Sequence, residues 1–225
     1  MKNLLLSYIG DWAIDKEVLS AAKEALPNII KFGVSDGQED IFTPALDALI
    51  KEPLRETYTC PVFTKQFCAI LADEIKHMNF TPNTDEDVLR QIPECILSQN
   101  YPELNKSLLE VVMSLFNPIF FSIWGRSVVG GNIQVAKYNP ANKKKGAWHH
   151  DASSDFTVVV PLNTGDYEGG GTEFYKRGVL QPLPNGTALM FPSLTHLHRG
   201  LEVENGDRLL LVFWLICNNE DKYAG

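Results

Sequence analysis

Residues 149–163 read HHDASSDFTVVVPLN, and this stretch decides the fold class. The run from Phe156 to Leu162 is rich in Val and ends at a turn-forming Asn, which predicts a short buried strand. Side chains two positions apart on an extended segment point to the same side, so His149 and Asp151 converge while His150 points away. The stretch therefore predicts β structure with an imidazole and a carboxylate side by side at the end of a strand.

The second half of the chain consists of short β-rich runs separated by Gly, Pro and Asn. Many short strands at such spacing predict a sandwich or barrel. We therefore expect residues 118–225 to form a mainly β core, a jelly roll. The candidate strands are Ile119–Trp124, Asn132–Tyr138, Phe156–Leu162, Thr172–Tyr175, Gly186–Phe191 and Arg208–Ile216.

The first half contains three apolar stripes at helical spacing. The first follows Asp15, a suitable N-cap, and is predicted to stop at Pro27. The second follows Pro61 and runs to Met78, and the third covers Pro102 to Phe116. We therefore expect residues 1–117 to be a mostly helical region that supports the β core.

Two further segments of the first half are less regular. The apolar run Leu4 to Ile9 is a candidate strand, and Thr81 to Gln99, which is polar and broken by prolines, is expected to be a loop with at most a short helix. Because no linker composition is visible, we expect residues 1–225 to form a single domain. The helical region also offers a surface for a homodimer.

Composition narrows the function classes. The chain has 225 residues and a net charge of −8, and the acidic surplus lies in residues 1–117. Such a protein repels phosphate backbones, so we expect no nucleic acid partner, and a basic peptide or a small molecule suits it better.

No apolar run approaches the ~18–20 residues that cross a bilayer, and we expect no signal peptide, no membrane contact and a cytoplasmic location. The four cysteines form no Cys-x-x-Cys pair and are expected to be buried small hydrophobic residues.

Four of the five histidines lie in two short clusters, 148–151 and 195–198. His149 and Asp151 on one face need one further imidazole from a later strand to give two histidines and one carboxylate. That facial triad is typical of non-haem Fe(II) sites that react with O₂. His198 is the candidate third ligand, and strand geometry alone leaves His196 as an alternative.

Arg208 opens the apolar strand that runs to Trp214. A guanidinium that points into such a strand is costly to bury unless it meets an anion. The sequence therefore indicates an anion-binding arginine close to the histidine clusters.

Residues from about Gln134 to Leu215 resemble the catalytic domain of the procollagen-lysine 2-oxoglutarate 5-dioxygenases, the lysyl hydroxylases, within the wider group of prolyl and lysyl hydroxylases. Order, spacing and neighbouring residues agree over most of this range. Two positions depart from the family pattern, because Thr172 stands where Cys is usual and Arg199 stands where Glu is common. The resembling pieces are VAKYNP (135–140), HHDASSDFT (149–157), PLN (161–163), EGGGTEF (168–174), LTHLHRGL (194–201) and NGDR (205–208).

The resemblance implies an Fe(II)- and 2-oxoglutarate-dependent dioxygenase whose β core is a double-stranded β-helix, a jelly roll of the cupin-like kind. It implies that His149, Asp151 and His198 ligate the iron and that Arg208 binds the far carboxylate of 2-oxoglutarate. By the resemblance to prolyl hydroxylases, Tyr138 reaches the same cosubstrate; the alternative is an aromatic ring that packs at the rim of the barrel. O₂ would be the second cosubstrate, and ascorbate is expected to support turnover. His196 and His150 would then pack around the site.

Three functional classes follow from these residues. The first is hydroxylation of lysine in a protein or peptide, which the resemblance and the acidic first half favour. The second is hydroxylation of a free amino acid or another small molecule, because one fold serves many substrates. The third, a non-enzymatic metal or 2-oxoglutarate binding module, is disfavoured by the presence of three candidate ligands and Arg208 together.

Thr157 is a further candidate site residue, because its hydroxyl could donate a hydrogen bond in the pocket.

Overall fold

The computed structural model describes residues 9–32, 44–82, 92–141 and 145–218. The candidate strand at Leu4 to Ile9 lies almost entirely outside these residues. Five α-helices are described, and all of them lie in the first 124 residues. They are α1 (Lys16–Phe32), α2 (Pro44–Asp47), α3 (Lys65–Ile75), α4 (Leu97–Asn100) and α5 (Pro102–Trp124).

The strands form a large sheet and two small ones. The large sheet has eight strands in the order β1-β2-β10-β6-β13-β5-β4-β3, and the small sheets have the orders β11-β8-β9 and β12-β7. A large and a small sheet facing each other across a cavity are consistent with a jelly-roll core. The strands are β1 (Lys51–Leu54), β2 (Thr57–Pro61), β3 (Thr81–Pro82), β4 (Pro93–Ile96), β5 (Val128–Tyr138), β6 (Phe156–Pro161), β7 (Glu168–Gly169), β8 (Thr172–Phe174), β9 (Gly178–Leu180), β10 (Thr187–Pro192), β11 (His198–Gly200), β12 (Val203–Asn205) and β13 (Arg208–Cys217).

Strand β13 lies between β5 and β6 and is antiparallel to both. Its side chains alternate between two environments, as a period of two requires. The odd-numbered residues from Leu209 to Leu215 belong to the main hydrophobic core. The even-numbered residues from Arg208 to Trp214 line a cavity on the opposite face. This one strand therefore separates the core of the molecule from its candidate site.

The main core is built from aromatic contacts between the sheet and the helices. The ring of Phe213 lies 5.7 Å from that of Phe116 in α5 and 6.3 Å from that of Phe63, measured between centroids. Phe120, one turn further along α5, packs edge-on against Phe156 of β6 at 5.0 Å. Burial of these rings anchors α5 across the back of the large sheet.

The helix expected after Pro61 is confirmed as α3. Its N-cap is Thr64, whose hydroxyl accepts a hydrogen bond from the backbone N–H of Phe67 at 3.1 Å. The end predicted for the first helix was wrong, because α1 continues through Pro27 to Phe32. A proline inside a helix removes one backbone hydrogen bond, and here that loss does not end the helix.

The predicted strand Ile119–Trp124 was also wrong, because this run forms the last turns of α5. A short continuous apolar run suits a buried helix as well as a strand, and Pro118 within it does not interrupt the helix. The helix crosses the boundary expected between residues 117 and 118. It ends at Gly125, which adopts a left-handed conformation with φ of 64°.

The first half of the chain is less helical than expected. It supplies β1 to β4, which are part of the large sheet. The segment Thr81–Gln99, expected to be a loop, contains both β3 and β4, and β4 pairs with β5 through residues 94–96. These strands are short, polar or proline-containing, so their sequences lack the apolar alternation by which strands are recognised.

Helix α5 qualifies as a candidate membrane span by length and composition alone, although no single apolar run in the sequence approaches ~18–20 residues. It has 23 residues and a mean hydropathy of 1.5 over its most apolar window, which satisfies the length and composition of a membrane span. A core helix of the same length passes the same test, and the buried residues of α5 belong to the main core. The four cysteines are free and buried, as expected.

Gly186, which precedes β10, provides a test of the packing of β10 against β2. It has a φ of +82°, and a Cβ there would lie 2.0 Å from the carbonyl oxygen of Phe63. Gly165 has a φ of +105° with open space around it. We expect Gly165→Ala to lower the free energy of unfolding by about 1–2 kcal/mol through backbone strain alone. Gly186→Ala should lower the free energy of unfolding by about 1–3 kcal/mol more than Gly165→Ala does, because the backbone must move to make room for the Cβ.

Urea denaturation of the two variants and the unchanged chain measures this difference. Equal losses in the two variants would contradict the close approach of Gly186 to Phe63.

Candidate metal and anion site

A cavity of about 420 Å³ lies between the large sheet and the small sheet of β8 and β11. Strands β5, β6 and β13 form its floor, and residues 146–153 form part of its rim. All five sequence-predicted site residues, His149, Asp151, His198, Arg208 and Tyr138, line it.

Backbone pairing brings the two histidines of the predicted triad together. The N–H of His149 donates to the carbonyl of His198, and the N–H of His198 donates to the carbonyl of His149, both at 3.0 Å. Asp151 lies opposite them, with its carboxylate oxygens 3.5 Å from Nε2 of His149 and 3.7 Å from Nε2 of His198. One ligand atom from each of the three residues lies within 4.8 Å of the others, which is close enough to hold one metal ion.

The hydrogen bonds of the imidazoles fix which nitrogen faces this centre. Nδ1 of His149 lies 2.9 Å from the carbonyl of Ala147, and Nδ1 of His198 lies 2.9 Å from the carbonyl of His196. A carbonyl only accepts, so Nδ1 carries the proton and Nε2 presents a lone pair. Burial lowers the pKa of His198, although the Asp151 carboxylate opposes this effect. A neutral imidazole with a directed lone pair is the form that binds metals.

A chain of hydroxyl groups holds Asp151. The hydroxyl of Thr157 donates to Oδ2 of Asp151 at 2.5 Å. Ser193 lies 2.8 Å from Thr157, and Ser154 lies 2.8 Å from Ser193. Because the carboxylate only accepts, the protons are ordered from Ser193 through Thr157 towards Asp151. Thr157 was a sequence candidate, whereas the two serines are common turn residues and gave no signal.

Arg208 is 4% exposed and lies at the other end of the cavity floor. Within the described part of the chain, its Nε and Nη1 atoms have no hydrogen-bond acceptor. The guanidinium carbon lies 5.5 Å from the centre of the Tyr138 ring. A Cβ at Gly200 would lie 3.4 Å from Nη1 of Arg208, so a glycine there keeps space beside the guanidinium. Buried, unsatisfied N–H groups on a cation suit a carboxylate ligand.

Tyr167 was missed by the sequence analysis. Together with Arg208 it lines a small side cavity of about 20 Å³. Its hydroxyl is buried and has no hydrogen-bond partner among the described residues. A lone tyrosine in a loop gives no sequence signal, and only the fold places it beside the arginine.

The other histidines do not join the centre. His196, the alternative ligand, is buried between the rings of Phe174 and Phe191, each 5.9 Å away. Its Nδ1 contacts the hydroxyl of Thr195 at 3.0 Å, and it is absent from the group of ligand atoms described above. Burial lowers the pKa of His196. His150 is exposed at the rim of the cavity.

A second acidic side chain lines the cavity and was also missed. Glu94 of β4 is 7% exposed, and Gln134 of β5, which is 4% exposed, donates a hydrogen bond to its carboxylate. Because the strand that carries Glu94 was expected to be a loop, no sequence pattern placed this carboxylate near the site.

Comparison with known proteins shows which proteins this chain resembles around the cavity. Residues 133–216 match the model of the 2OG-Fe(II) oxygenase superfamily. Over 186 residues the chain is 30% identical to human procollagen-lysine,2-oxoglutarate 5-dioxygenase 1, and over 188 residues it is 27% identical to human procollagen-lysine,2-oxoglutarate 5-dioxygenase 2. These alignments cover 76% and 78% of this chain and 25% of each relative, so the chain spans about a quarter of their length.

Solved structures show the same fold at lower identity. An oxidoreductase of the 2OG-Fe(II) oxygenase family from Burkholderia pseudomallei superposes with a TM-score of 0.57 at 18% identity, covering 72% of this chain and 85% of that one. A prolyl 4-hydroxylase from Phytophthora capsici gives a TM-score of 0.55 at 14% identity, covering 96% and 68%. Residues 133–216 thus match the 2OG-Fe(II) oxygenase superfamily in sequence, and the described residues share the fold of these solved structures.

Proposed function

We propose that the chain is an Fe(II)- and 2-oxoglutarate-dependent dioxygenase that hydroxylates an unactivated C–H bond, on a lysine of a protein or peptide. One observation carries this proposal. Two imidazole Nε2 atoms, one carboxylate and a buried guanidinium with unsatisfied N–H groups line a single cavity. This donor set fits an iron with open coordination positions beside a ligand that ends in a carboxylate.

In the proposed site, His149, Asp151 and His198 hold the metal. Nε2 of each histidine and a carboxylate oxygen of Asp151 would be the ligand atoms, a set that suits iron with room for other ligands. The Nδ1–H groups, held by the carbonyls of Ala147 and His196, keep both rings in the orientation that binding requires. Thr157 holds the carboxylate by donating to the second oxygen of Asp151.

Arg208 binds and orients the cosubstrate. Its planar guanidinium can meet both oxygens of the far carboxylate, which a lysine could not do. The apolar neighbours Leu210 and Val159 exclude water from this end of the cavity and strengthen the contact. Tyr138, which packs against the guanidinium, lies where its hydroxyl can reach the same ligand.

Fe(II) with 2-oxoglutarate and O₂ supplies the oxidising chemistry when bound, and the protein positions the C–H bond that is attacked. Lysine as the target is supported by the relatives, two of which are named procollagen-lysine 5-dioxygenases. The alternative substrate is a free amino acid or another small molecule. Succinate release with Fe(II) and ascorbate, screened against lysine peptides and free amino acids, tests the activity and separates the two substrate classes.

Removal of any one ligand should abolish function. We expect His149→Ala, Asp151→Ala and His198→Ala each to weaken Mn(II) binding, measured by calorimetry, by at least about a hundredfold, because one of three protein ligands is lost. Succinate release should fall to background in each. His150→Ala is the matched control, since His150 is an exposed neighbour, and it should keep both properties. Full activity in His198→Ala with loss in His196→Ala would reverse the choice between those two histidines.

Arg208 governs affinity for the cosubstrate. We expect Arg208→Ala to raise the KM for 2-oxoglutarate about ten- to more than a hundredfold, because a buried charge-assisted contact is lost. Arg208→Lys should have a smaller effect, since it keeps the charge without the two-pronged geometry. Binding of 2-oxobutyrate, which lacks the far carboxylate, should change little. An unchanged KM for 2-oxoglutarate in Arg208→Ala would place the anion elsewhere.

Thr157 should act through Asp151. Thr157→Val keeps the shape of the side chain but removes the hydrogen bond to the carboxylate, and we expect Mn(II) affinity to fall about ten- to a hundredfold. Thr157→Ser should retain nearly all of the affinity because it keeps the donor. Equal Mn(II) dissociation constants for Thr157→Val and the unchanged chain would show that the hydroxyl chain does not position Asp151.

A further inference from the structure

We propose that the small side cavity next to Arg208 binds one buried water molecule, which joins Nε of Arg208 to the hydroxyl of Tyr167. Tyr167 then acts as a positioning residue, because it fixes the plane of the guanidinium that receives the far carboxylate of 2-oxoglutarate. This second part rests on the proposed function, whereas the water site depends on the fold alone.

Arg208 lies between two cavities of very different size. The larger cavity, of about 420 Å³, contains the candidate metal ligands, and Tyr138 and Gly200 line it near Arg208. The smaller cavity, of about 20 Å³, is lined by Tyr167. Arg208 lines both cavities, so its guanidinium can meet a different partner on each side.

The two unsatisfied atoms of Arg208 have different surroundings. A Cβ at Gly200 would lie 3.2 Å from the hydroxyl oxygen of Tyr138 and 3.4 Å from Nη1, which places Nη1 on the side of the larger cavity. A Cβ at Gly170 would lie 3.0 Å from Cε2 of Tyr167 and 3.5 Å from Nε, which places Nε on the other side. A carboxylate that meets the two Nη groups from the larger cavity therefore leaves the Nε–H without an acceptor.

The chemistry of the smaller cavity selects water as its occupant. Nε of Arg208 and the hydroxyl of Tyr167 are both buried and have no hydrogen-bond partner within the described ranges of the chain. An arginine N–H only donates, whereas a tyrosine hydroxyl donates and accepts, so a group that joins them must accept from the arginine. Water can do this while it bonds to the hydroxyl as well.

The size of the cavity and a third hydroxyl also suit a single water molecule. A volume of about 20 Å³ exceeds the ~10–15 Å³ that one water needs and leaves no room for a carboxylate group. Buried waters typically make about three hydrogen bonds. Thr172, which lines the same cavity, can supply the third partner beside Arg208 and Tyr167.

The main chain around this site is already held in place. The side chain of Asn163 donates to the main-chain carbonyl just before Arg208 at 2.7 Å and accepts from the main-chain N–H just after it at 2.9 Å. A Cβ at Gly206 would lie 3.0 Å from Cα of Tyr167, so the turn that leads into β13 packs closely against this tyrosine. What remains to be fixed is the long side chain of Arg208. A guanidinium that is held at Nε loses less conformational freedom when a carboxylate binds.

Crystal structures of the Mn(II)-bound protein, with and without 2-oxoglutarate, test the water site directly. We expect a water oxygen in the side cavity of both structures, within about 2.7–3.2 Å of Nε of Arg208 and of the Tyr167 hydroxyl oxygen. A side cavity without a water would overturn the proposal. A bond between Nε and the far carboxylate of 2-oxoglutarate would also overturn it.

The positioning role is tested in solution with Tyr167→Phe, which removes only the hydroxyl. We expect the dissociation constant of 2-oxoglutarate from the Mn(II)-bound protein, measured by calorimetry, to rise about two- to tenfold, the range for one hydrogen bond. The KM for 2-oxoglutarate should rise by the same factor, while kcat at saturating 2-oxoglutarate and the affinity for Mn(II) stay unchanged. Tyr175→Phe is the matched control, because Tyr175 is 52% exposed, and it should change none of these values.

Two further measurements show that Tyr167 acts through Arg208. Binding of 2-oxobutyrate, which lacks the far carboxylate, should be equal in Tyr167→Phe and the unchanged chain. Addition of Tyr167→Phe to Arg208→Ala should not weaken 2-oxoglutarate binding further, because the group that the hydroxyl positions is already gone. A further loss in this double variant would show that Tyr167 contacts the cosubstrate directly and would overturn the water-mediated role.

An unchanged dissociation constant in Tyr167→Phe would overturn the positioning role. If Tyr167→Phe does not fold, the two crystal structures of the unchanged chain carry the test. Absence of 2-oxoglutarate binding to the unchanged Mn(II)-bound protein would instead contradict the proposed function, and the structure without 2-oxoglutarate would still decide the water site.

Discussion

The alternation of side chains along β13 is the constraint on which the rest of the structure depends. Phe213 and its neighbours on one face of this strand pack in the core, and Arg208 on the other face lines the cavity. Any slip of register by one residue would exchange the two sets and place the guanidinium in the core. The pairing of β13 with β5 and β6 on both sides therefore fixes the anion site and the hydrophobic core together.

The candidate metal-binding group depends on a second, smaller element of pairing. His149 belongs to a loop and His198 to the edge strand of the small sheet, and their two reciprocal backbone hydrogen bonds join these segments. The same segments supply Ala147 and His196, whose carbonyls orient the rings. Main-chain hydrogen bonds, and not neighbouring side chains, thus set the distance between the two candidate ligands His149 and His198.

The elements that the sequence predicted well are those with a continuous apolar run, in the strands, or an apolar stripe at helical spacing, in α3. Strands β6, β10 and β13 and helix α3 show regular apolar patterns, and their approximate bounds follow from those patterns. The apolar run at 119–124 has no periodicity that separates a buried strand from a buried helix, so only packing against Phe156 determines its form.

The candidate site was predictable to the extent that its chemistry is local. The His-x-Asp spacing and the arginine at the start of an apolar strand are visible in the sequence. Glu94, Ser193 and Tyr167 are not, because their roles depend on which distant strands and loops meet at the cavity. The hydroxyl chain behind Asp151, for example, joins Ser154 to Ser193, which only the pairing of β6 with β10 brings together.

In the proposed site, the buried guanidinium of Arg208 would link the stability of the protein to the binding of an anion. A folded chain that holds N–H groups of a cation without acceptors is less stable than it would be with an anion in place. An anion that binds only the folded state raises the free energy of unfolding by about 2.7 kcal/mol when its concentration is 100 times its dissociation constant. With the proposed dicarboxylate as that anion, the lifetime of the folded protein would follow the supply of the ligand, so that its scarcity would both slow turnover and expose the chain to unfolding and degradation.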